Sequence, residues 1–166
     1  MKFKILCVVL VLFLLTGCGQ EQPELSSLSD MSFTVHIVSI EDKYICSGML
    51  KGTNLTLEVQ EPSTLKGLII TFNEAEVLIQ HLGLKQSILT DEFPKNSPLM
   101  LLYSAIIEVN NGDLETSDKK NYEVHGEIEN EKFEFVFSPA MLPVSVEIEG
   151  LNFKSIFSNV TVEKTP

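Results

Sequence analysis

The chain has 166 residues, 44% of them hydrophobic and 21% charged, and this composition excludes a disordered or collagen-like protein. Its 23 acidic residues outnumber its 12 lysines, and it contains no arginine, so the formal net charge is −11. An acidic surface repels phosphate groups, which argues against nucleic acid as a partner.

The first 17 residues have the pattern of an export signal. Lys2 and Lys4 precede an unbroken apolar run over residues 5–15, and the segment closes with Leu15-Thr16-Gly17-Cys18. A membrane-spanning helix needs about 20 apolar residues. The run is therefore too short to remain as a transmembrane anchor, and its basic start is that of a cleaved signal.

The closing tetrapeptide resembles the lipobox of bacterial lipoproteins. In that family the signal is cut just before the cysteine, whose sulfur carries a diacylglyceryl group. The resemblance implies that residues 1–17 are a lipoprotein signal peptide and that Cys18 is the lipidation site. Two acyl chains hold a protein stably on a bilayer. The resemblance therefore also implies an extracytoplasmic protein that is lipid-anchored to the cell membrane.

Residues 18–31 are predicted to comprise the lipidated cysteine and a flexible tether, because they are polar and contain a proline and several serines. With Cys7 removed and Cys18 lipidated, Cys46 has no partner for an intrachain disulfide. Cys46 can be a reactive thiol or a small buried hydrophobe. The buried interpretation is favoured, because no CxxC motif and no histidine lies close to it in sequence.

From Ser32 onward the hydrophobic pattern has a period of two, which is typical of an antiparallel sheet with one dry and one wet face. Phe133 and Phe135, for example, alternate with Lys132 and Glu134. The pattern predicts nine strands, at 32–39, 43–51, 54–60, 66–72, 75–81, 121–129, 132–137, 143–149 and 153–161. The links between them are short and contain turn residues.

Residues 97–110, between the fifth and sixth predicted strands, break this period and are predicted to form a helix. Ser97 is a favourable N-cap and Pro98 a favourable first helical residue. The segment is apolar around most of its circumference, so it must be covered on more than one side or face an apolar ligand. A helix about 20 Å long cannot cover a flat sheet roughly 40 Å wide. The prediction is a mainly β (α+β) fold, in which a curved antiparallel sheet forms an open half-barrel around this helix.

A lipobox, a short tether, a meander of antiparallel strands and a helix in the concave face together resemble the LolA/LolB-like superfamily. That superfamily includes periplasmic lipoprotein carriers, RseB-like sensors and mycobacterial LppX-type lipoproteins. The local similarities are residues 61–68 (EPSTLKGL) and residues 143–157 (PVSVEIEGLNFKSIF). The resemblance implies a single LolA-like β domain over residues 32–162. It also implies non-enzymatic binding of a lipid, an acyl chain or a lipoprotein segment.

Two faces of the predicted sheet are candidate sites. The apolar face, with the helix, is either a trough for a hydrophobic ligand or an ordinary filled core. Its candidate residues are Leu55, Leu57, Val59, Leu102, Tyr103, Ile106, Phe133, Phe135, Phe137, Val144, Val146 and Ile148. The opposite face carries neighbouring like charges, which destabilise a sheet unless they are solvated or paired. Its candidate residues are Glu123, Glu127, Glu129, Glu134, Glu147 and Glu149.

Two functions follow from these faces. In the first, the trough binds a hydrophobic ligand. In the alternative, the protein is a sensor or protein-interaction lipoprotein with a filled core, and its acidic face contacts a basic or calcium-bridged partner.

No catalytic motif is present, whether GxSxG, HExxH, a P-loop, GxGxxG or an EF-hand loop. The chain is therefore predicted not to be an enzyme and to have no cofactor other than the lipid on Cys18. His36, His81 and His125 fall on separate predicted strands, so no metal site is predicted. The expected partners are the membrane and the hydrophobic ligand, and no pattern in the chain sets an oligomeric state.

Overall fold

The computed structural model describes residue 28, residues 30–111 and residues 121–162. Within these residues the chain forms one ten-stranded antiparallel sheet and one α-helix. The strands are β1 (Met31–Val38), β2 (Lys43–Lys51), β3 (Asn54–Glu61), β4 (Ile69–Phe72), β5 (Glu76–His81), β6 (Leu84–Leu89), β7 (Tyr122–Ile128), β8 (Glu131–Phe137), β9 (Pro143–Ile148) and β10 (Phe153–Val162). The helix α1 is Pro98–Asn111. Short 3-10 turns lie at Ser63–Leu65, Thr90–Glu92 and Glu149–Leu151.

The strand order is β6-β5-β4-β3-β2-β1-β10-β9-β8-β7. Strands that follow one another in sequence are neighbours within each half, and the pairing of β1 with β10 joins the two halves. The mainly β fold and the antiparallel sheet are thus confirmed, and each of the nine predicted strands is present. The tenth strand, β6, was not predicted.

Helix α1 begins as the sequence predicts. The backbone N–H of Met100 donates to Ser97 Oγ at 3.2 Å, so the serine caps the first turn. The helix packs mainly against β7, β8, β10 and β1, and its Tyr103 ring stacks on Phe72 of β4 at 5.1 Å between ring centroids.

These contacts require the sheet to curl. Strands β4 and β7 are seven positions apart in the strand order, which is roughly 34 Å in a flat sheet. A 14-residue helix is only about 21 Å long. It touches both strands because the sheet bends around it, which confirms the predicted open half-barrel.

Two glycines make room for aromatic rings on the concave face of the sheet. Gly48 of β2 lies opposite Phe33 of β1, and Gly126 of β7 lies opposite Phe133 of β8. A Cβ atom at either glycine would overlap the ring of the facing phenylalanine. Each ring therefore lies flat across its neighbouring strand, and both phenylalanines are buried.

The predicted signal peptide (1–17) and most of the predicted tether lie outside the described residues. The end of that tether is packed against the domain. Leu28 is buried, and its backbone N–H donates to Asn110 Oδ1, at the end of α1, at 3.0 Å. Strand β1 then starts at Met31, one residue before the predicted start. In the parts of the chain that the structure describes, no helix has the length and apolarity to cross a membrane.

Candidate functional site

The predicted trough residues, with one exception, converge on a single buried core. Eleven of the twelve are buried, and they belong to one hydrophobic cluster: Leu55, Leu57, Val59, Leu102, Tyr103, Ile106, Phe133, Phe135, Phe137, Val146 and Ile148. Strands and helix both contribute to this cluster, as the sequence predicts. Their side chains contact one another and are closed off from solvent.

Val144 is the exception, and its assignment to the trough was wrong. Its side chain is 37% exposed, whereas Pro143 beside it is buried. The pairing of β8 with β9 shifts at this point, since Val136 faces Ser145 and Phe137 faces Pro143. Val144 is the extra residue of a β-bulge, and a bulge reverses the in-and-out alternation on its far side.

Aromatic rings fill much of the space between the sheet and the helix. Phe135 stacks on Phe137 with ring centroids 4.7 Å apart and on Phe157 at 5.7 Å. The only polar side-chain atom among the described residues that is fully buried without a hydrogen-bond partner is Ser155 Oγ, on the same face of β10 as Phe157. The centre of the half-barrel is therefore packed by the protein's own side chains.

The concave face remains accessible at one wing, formed by β5 and β6. Val77 and Ile88 are paired across these strands, and Val77 is fully buried, so this is the core side of the hairpin. On the same side Ile79 and Ile88 are half-buried against the core. Leu84 is 78% exposed, and Leu82 in the turn is 88% exposed. We call Ile79, Leu82, Leu84 and Ile88 the apolar wing.

The sequence interpretation did not identify the apolar wing, although one signal was available. Residues 77–90 contain no acidic residue, in a chain with 23 of them. The residues that line a surface depression of about 400 Å³ at the turn end of this hairpin, between Gly67 and Lys85, are likewise all neutral or basic. The wing is thus an apolar surface with no carboxylate among its own residues.

The acidic face lies on the convex side of β7, β8 and β9, which are neighbours as predicted. Glu134 and Glu147 are direct cross-strand partners. A surface depression of about 770 Å³ opens beside them; its lining is His125, Glu127, Asn130, Glu131, Lys132, Phe133, Glu134, Glu147, Glu149 and Gly150. Four of the six predicted glutamates are therefore brought together, and Glu131 joins them.

The two other predicted glutamates lie at the margins of this face. Glu123 Oε2 is 3.5 Å from His125 Nε2, and Glu129 Oε1 is 4.0 Å from Lys95 Nζ. Glu147 also has a cation beside it, since its Oε2 accepts a hydrogen bond from Lys154 Nζ at 2.7 Å. Lys95 and Lys154 thus offset part of the negative charge. Exposed pairs of this kind contribute little to stability.

The histidines and Cys46 occupy separate places. His36, His81 and His125 lie on β1, β5 and β7, and among the described residues no three His, Cys, Asp or Glu side chains are grouped to hold a metal ion. Cys46 is fully buried on the core side of β2, as the favoured interpretation predicts. Burial raises the pKa of its thiol to about 12, so the thiol is neutral and inert at physiological pH.

No protein-family model matches the chain, and no curated protein matches it either. Solved structures do match its fold. An uncharacterized conserved protein from Thermus thermophilus superposes with a TM-score of 0.54 at 12% identity, over 86% of this chain and 83% of that chain. This likeness shows a shared fold.

Two further matches are weaker. A LolA superfamily protein from Nitrosomonas europaea has a TM-score of 0.43 at 12% identity, over 85% of this chain and 89% of that chain. A DUF1329 family protein from Desulfovibrio piger has a TM-score of 0.42 at 10% identity, over 84% of this chain and 88% of that chain.

Proposed function

We propose that this protein is a lipid-anchored extracytoplasmic lipoprotein that binds a hydrophobic ligand without catalysing a reaction. The ligand class is that of a lipid, an acyl chain or a lipoprotein segment. Its binding surface is the apolar wing rather than the whole concave face, because the predicted trough residues are already packed against one another. The observation that carries the proposal is the exposure of Leu82 and Leu84 beside Ile79 and Ile88, which continue into the core.

Energetics support this position for a ligand. Burying apolar surface contributes roughly 25 cal/mol per Å², and large exposed apolar side chains that adjoin one another mark interaction sites. An acyl chain lying along β5 and β6 would cover Leu84 and complete the burial of Ile79 and Ile88. Residues 77–90 include no carboxylate. The one acid of this hairpin, Glu76, accepts a hydrogen bond from Ser87 Oγ on the opposite face of the strands, so it keeps its hydration when the chain binds.

The anchor is tested by replacing Cys18 with alanine in the full chain. Without the cysteine sulfur there is no site for the diacylglyceryl group, so we expect the protein to leave the membrane fraction or to accumulate as an uncut precursor. Cell fractionation and intact-mass measurement read the two outcomes. Cys46→Ala is the matched control, and it should fractionate like the parent because Cys46 is buried. A Cys18→Ala protein that is still processed and membrane-bound would contradict the anchor.

The ligand is tested by native mass spectrometry and organic extraction on residues 19–166 purified from bacteria. We expect one or a few discrete lipid masses to accompany the protein. A mass that stays that of the bare chain, even after incubation with lipids, would refute the binding proposal.

Two lysine variants then place the ligand on the molecule. Leu84→Lys puts a charge into the apolar wing, and we expect lipid affinity to fall at least tenfold, which corresponds to about 1.4 kcal/mol. Ile40→Lys is the matched control, because Ile40 is 76% exposed in the turn between β1 and β2, away from the wing. Equal loss in both variants would mean that added charge, and not its position on the wing, weakens binding.

The second candidate function uses the acidic face. The observation that favours it is the depression lined by Glu127, Glu131, Glu134, Glu147 and Glu149. This face suits a basic or calcium-bridged protein partner, and it becomes the leading candidate if the wing binds no lipid. A calcium titration followed by thermal melting tests the metal version, because an ion that binds the folded state raises Tm. An unchanged Tm at millimolar calcium would exclude it.

A further inference from the structure

Among the described residues the sheet ends at two edge strands, and these differ in charge. Strand β7 ends one side of the strand order and β6 ends the other. The β7 edge carries Glu123 and Glu127 on its outer face, with His125 between them. The β6 edge, Leu84-Lys85-Gln86-Ser87-Ile88-Leu89, carries one lysine and no carboxylate of its own, and the nearby Glu76 carboxylate of β5 accepts a hydrogen bond from Ser87 Oγ. In a chain of net charge −11, two copies repel one another less when they approach through β6 than through β7.

In the part of the chain that the structure describes, the β6 edge also lacks most devices that keep a sheet edge from pairing. Natural edges are protected by proline, bulges, several charges or a covering element. Strand β6 pairs with β5 in unbroken register from Leu84 to Leu89. It contains no proline, five of its six residues are exposed, and Lys85 is its one charged side chain. Its outward N–H and C=O groups form a regular row that is ready to bond to a further strand.

We propose that β6 pairs with β6 of a second copy of this chain, antiparallel and centred on Gln86. In this register Leu84 faces Ile88 of the second copy, Lys85 faces Ser87, and the two Gln86 residues face each other. A register centred on Ser87 would instead place Lys85 opposite Leu89 and Gln86 opposite Ile88. Pairing apolar with apolar side chains favours the first arrangement.

This symmetry joins the two apolar wings. A two-fold axis perpendicular to the sheet keeps both concave faces on the same side, because paired residues of an antiparallel ladder point to the same face. Leu84 and Ile88 of each copy then lie side by side across the new junction. The pairing uses the backbone edge and leaves this apolar surface open, so it forms with or without the ligand proposed above.

Site-specific cross-linking of the full chain tests the register. In the proposed dimer the two Gln86 Cα atoms lie roughly 4.5–5.5 Å apart, which is within the range that a disulfide spans. Gln86→Cys should therefore cross-link to twice the chain mass when cell envelopes are oxidised with copper phenanthroline. Leu89→Cys is the matched control: it is exposed on the same strand, but its two copies would lie about 20 Å apart and should not cross-link.

Each of the following results on a non-reducing gel either supports or overturns the proposed pairing. Dimer from Gln86→Cys and none from Leu89→Cys supports the pairing. Equal cross-linking of both variants indicates random collision, and no cross-linking beyond that of the parent chain indicates a free edge; either result overturns the proposal. Neither readout involves lipid, so a failure here is distinct from a failure of the ligand experiment.

A charge variant tests the same edge without cysteine chemistry. Gln86→Glu would place two carboxylates directly opposite each other in the dimer, while the exposed side chain leaves the monomer's packing unchanged. Light scattering of the detergent-solubilised full chain should show the dimer mass for the parent and the monomer mass for this variant, and the circular dichroism spectra of the two should coincide. Ser32→Glu adds the same charge on β1, away from both edges, and should remain dimeric. A Gln86→Glu protein that is still a dimer would contradict pairing through β6.

Discussion

Replacing Phe135 by alanine is expected to lower the free energy of unfolding by about 3–5 kcal/mol. Phe135 is fully buried and stacks on both Phe137 and Phe157. Truncation removes the ring's burial and leaves a cavity that these neighbours only partly close. In a domain of this size each kcal/mol corresponds to about 2–4 °C in Tm, so we expect Tm to fall by roughly 6–20 °C. Denaturant unfolding followed by circular dichroism measures the loss.

The matched control is Val144→Ala. The sequence pattern places Val144 and Phe135 in the same predicted set, but the β-bulge turns Val144 outward. A surface substitution of this kind usually changes stability by no more than about 0.5 kcal/mol. Similar losses at both positions would show that the bulge is misplaced and that Val144 belongs to the core.

The same variant distinguishes a filled core from a ligand-filled trough. If Phe135 packs only against protein, its truncation lowers stability and leaves lipid binding at the apolar wing unchanged. If Phe135 lined a lipid site under the helix, Phe135→Ala would change lipid occupancy, and stability would depend on whether lipid is present. Measuring both quantities on one protein preparation therefore assigns the role of the deep concave face.

The sheet was predictable because most of its strands alternate between apolar and polar residues over several positions. In β8, Phe133, Phe135 and Phe137 share one face and are all buried. Alternate residues of most other strands face the core in the same way. Strand β6 was missed because its alternation is weak: the polar Gln86 stands between Leu84 and Ile88 on the core side, and the apolar Leu89 follows Ile88 on the other side. It is a strand because it pairs with β5 along its whole length, and such a partner is not visible in a local pattern.

The sites were predictable to different degrees. Side chains alternate between the two faces of a strand, and this alternation predicted that the glutamates share one face. Four of them surround one depression, because the three acidic strands are consecutive in sequence and are neighbours in the sheet. The position of Val144 depends on the bulge, which no hydrophobic pattern marks. The burial of Leu28 depends on a hydrogen bond to Asn110, 82 residues away, and the exposure of Leu82 and Leu84 depends on where α1 lies. These features depend on contacts between residues that are distant in sequence, and a local hydrophobic pattern does not show such contacts.

Alkaline pH is expected to destabilise the protein through Cys46. Burial raises the pKa of its thiol to about 12, whereas an unfolded cysteine has a pKa of about 8.5. Below about pH 8.5 the thiol is protonated in both the folded and the unfolded state, so its ionisation does not lower the free energy of unfolding. Between about 8.5 and 12 only the unfolded state releases the proton, so the free energy of unfolding falls with a slope near 1.4 kcal/mol per pH unit.

Cys46→Ala removes this dependence and isolates it from the rest of the molecule. Truncation lowers stability at every pH, so the comparison is of slopes: between about pH 8 and pH 10 the parent should lose about 1–2 kcal/mol more than the variant. Burial also raises the pKa of Tyr44 and of Tyr103, but tyrosine in the unfolded chain titrates near about 10, so these groups act mainly above the measured range. Urea unfolding at about pH 8, 9 and 10 measures both slopes. If the free energies of unfolding of the parent and the variant fall with the same slope, the thiol ionises as readily in the folded protein as in the unfolded chain. That result would contradict the burial of Cys46 on the core side of β2.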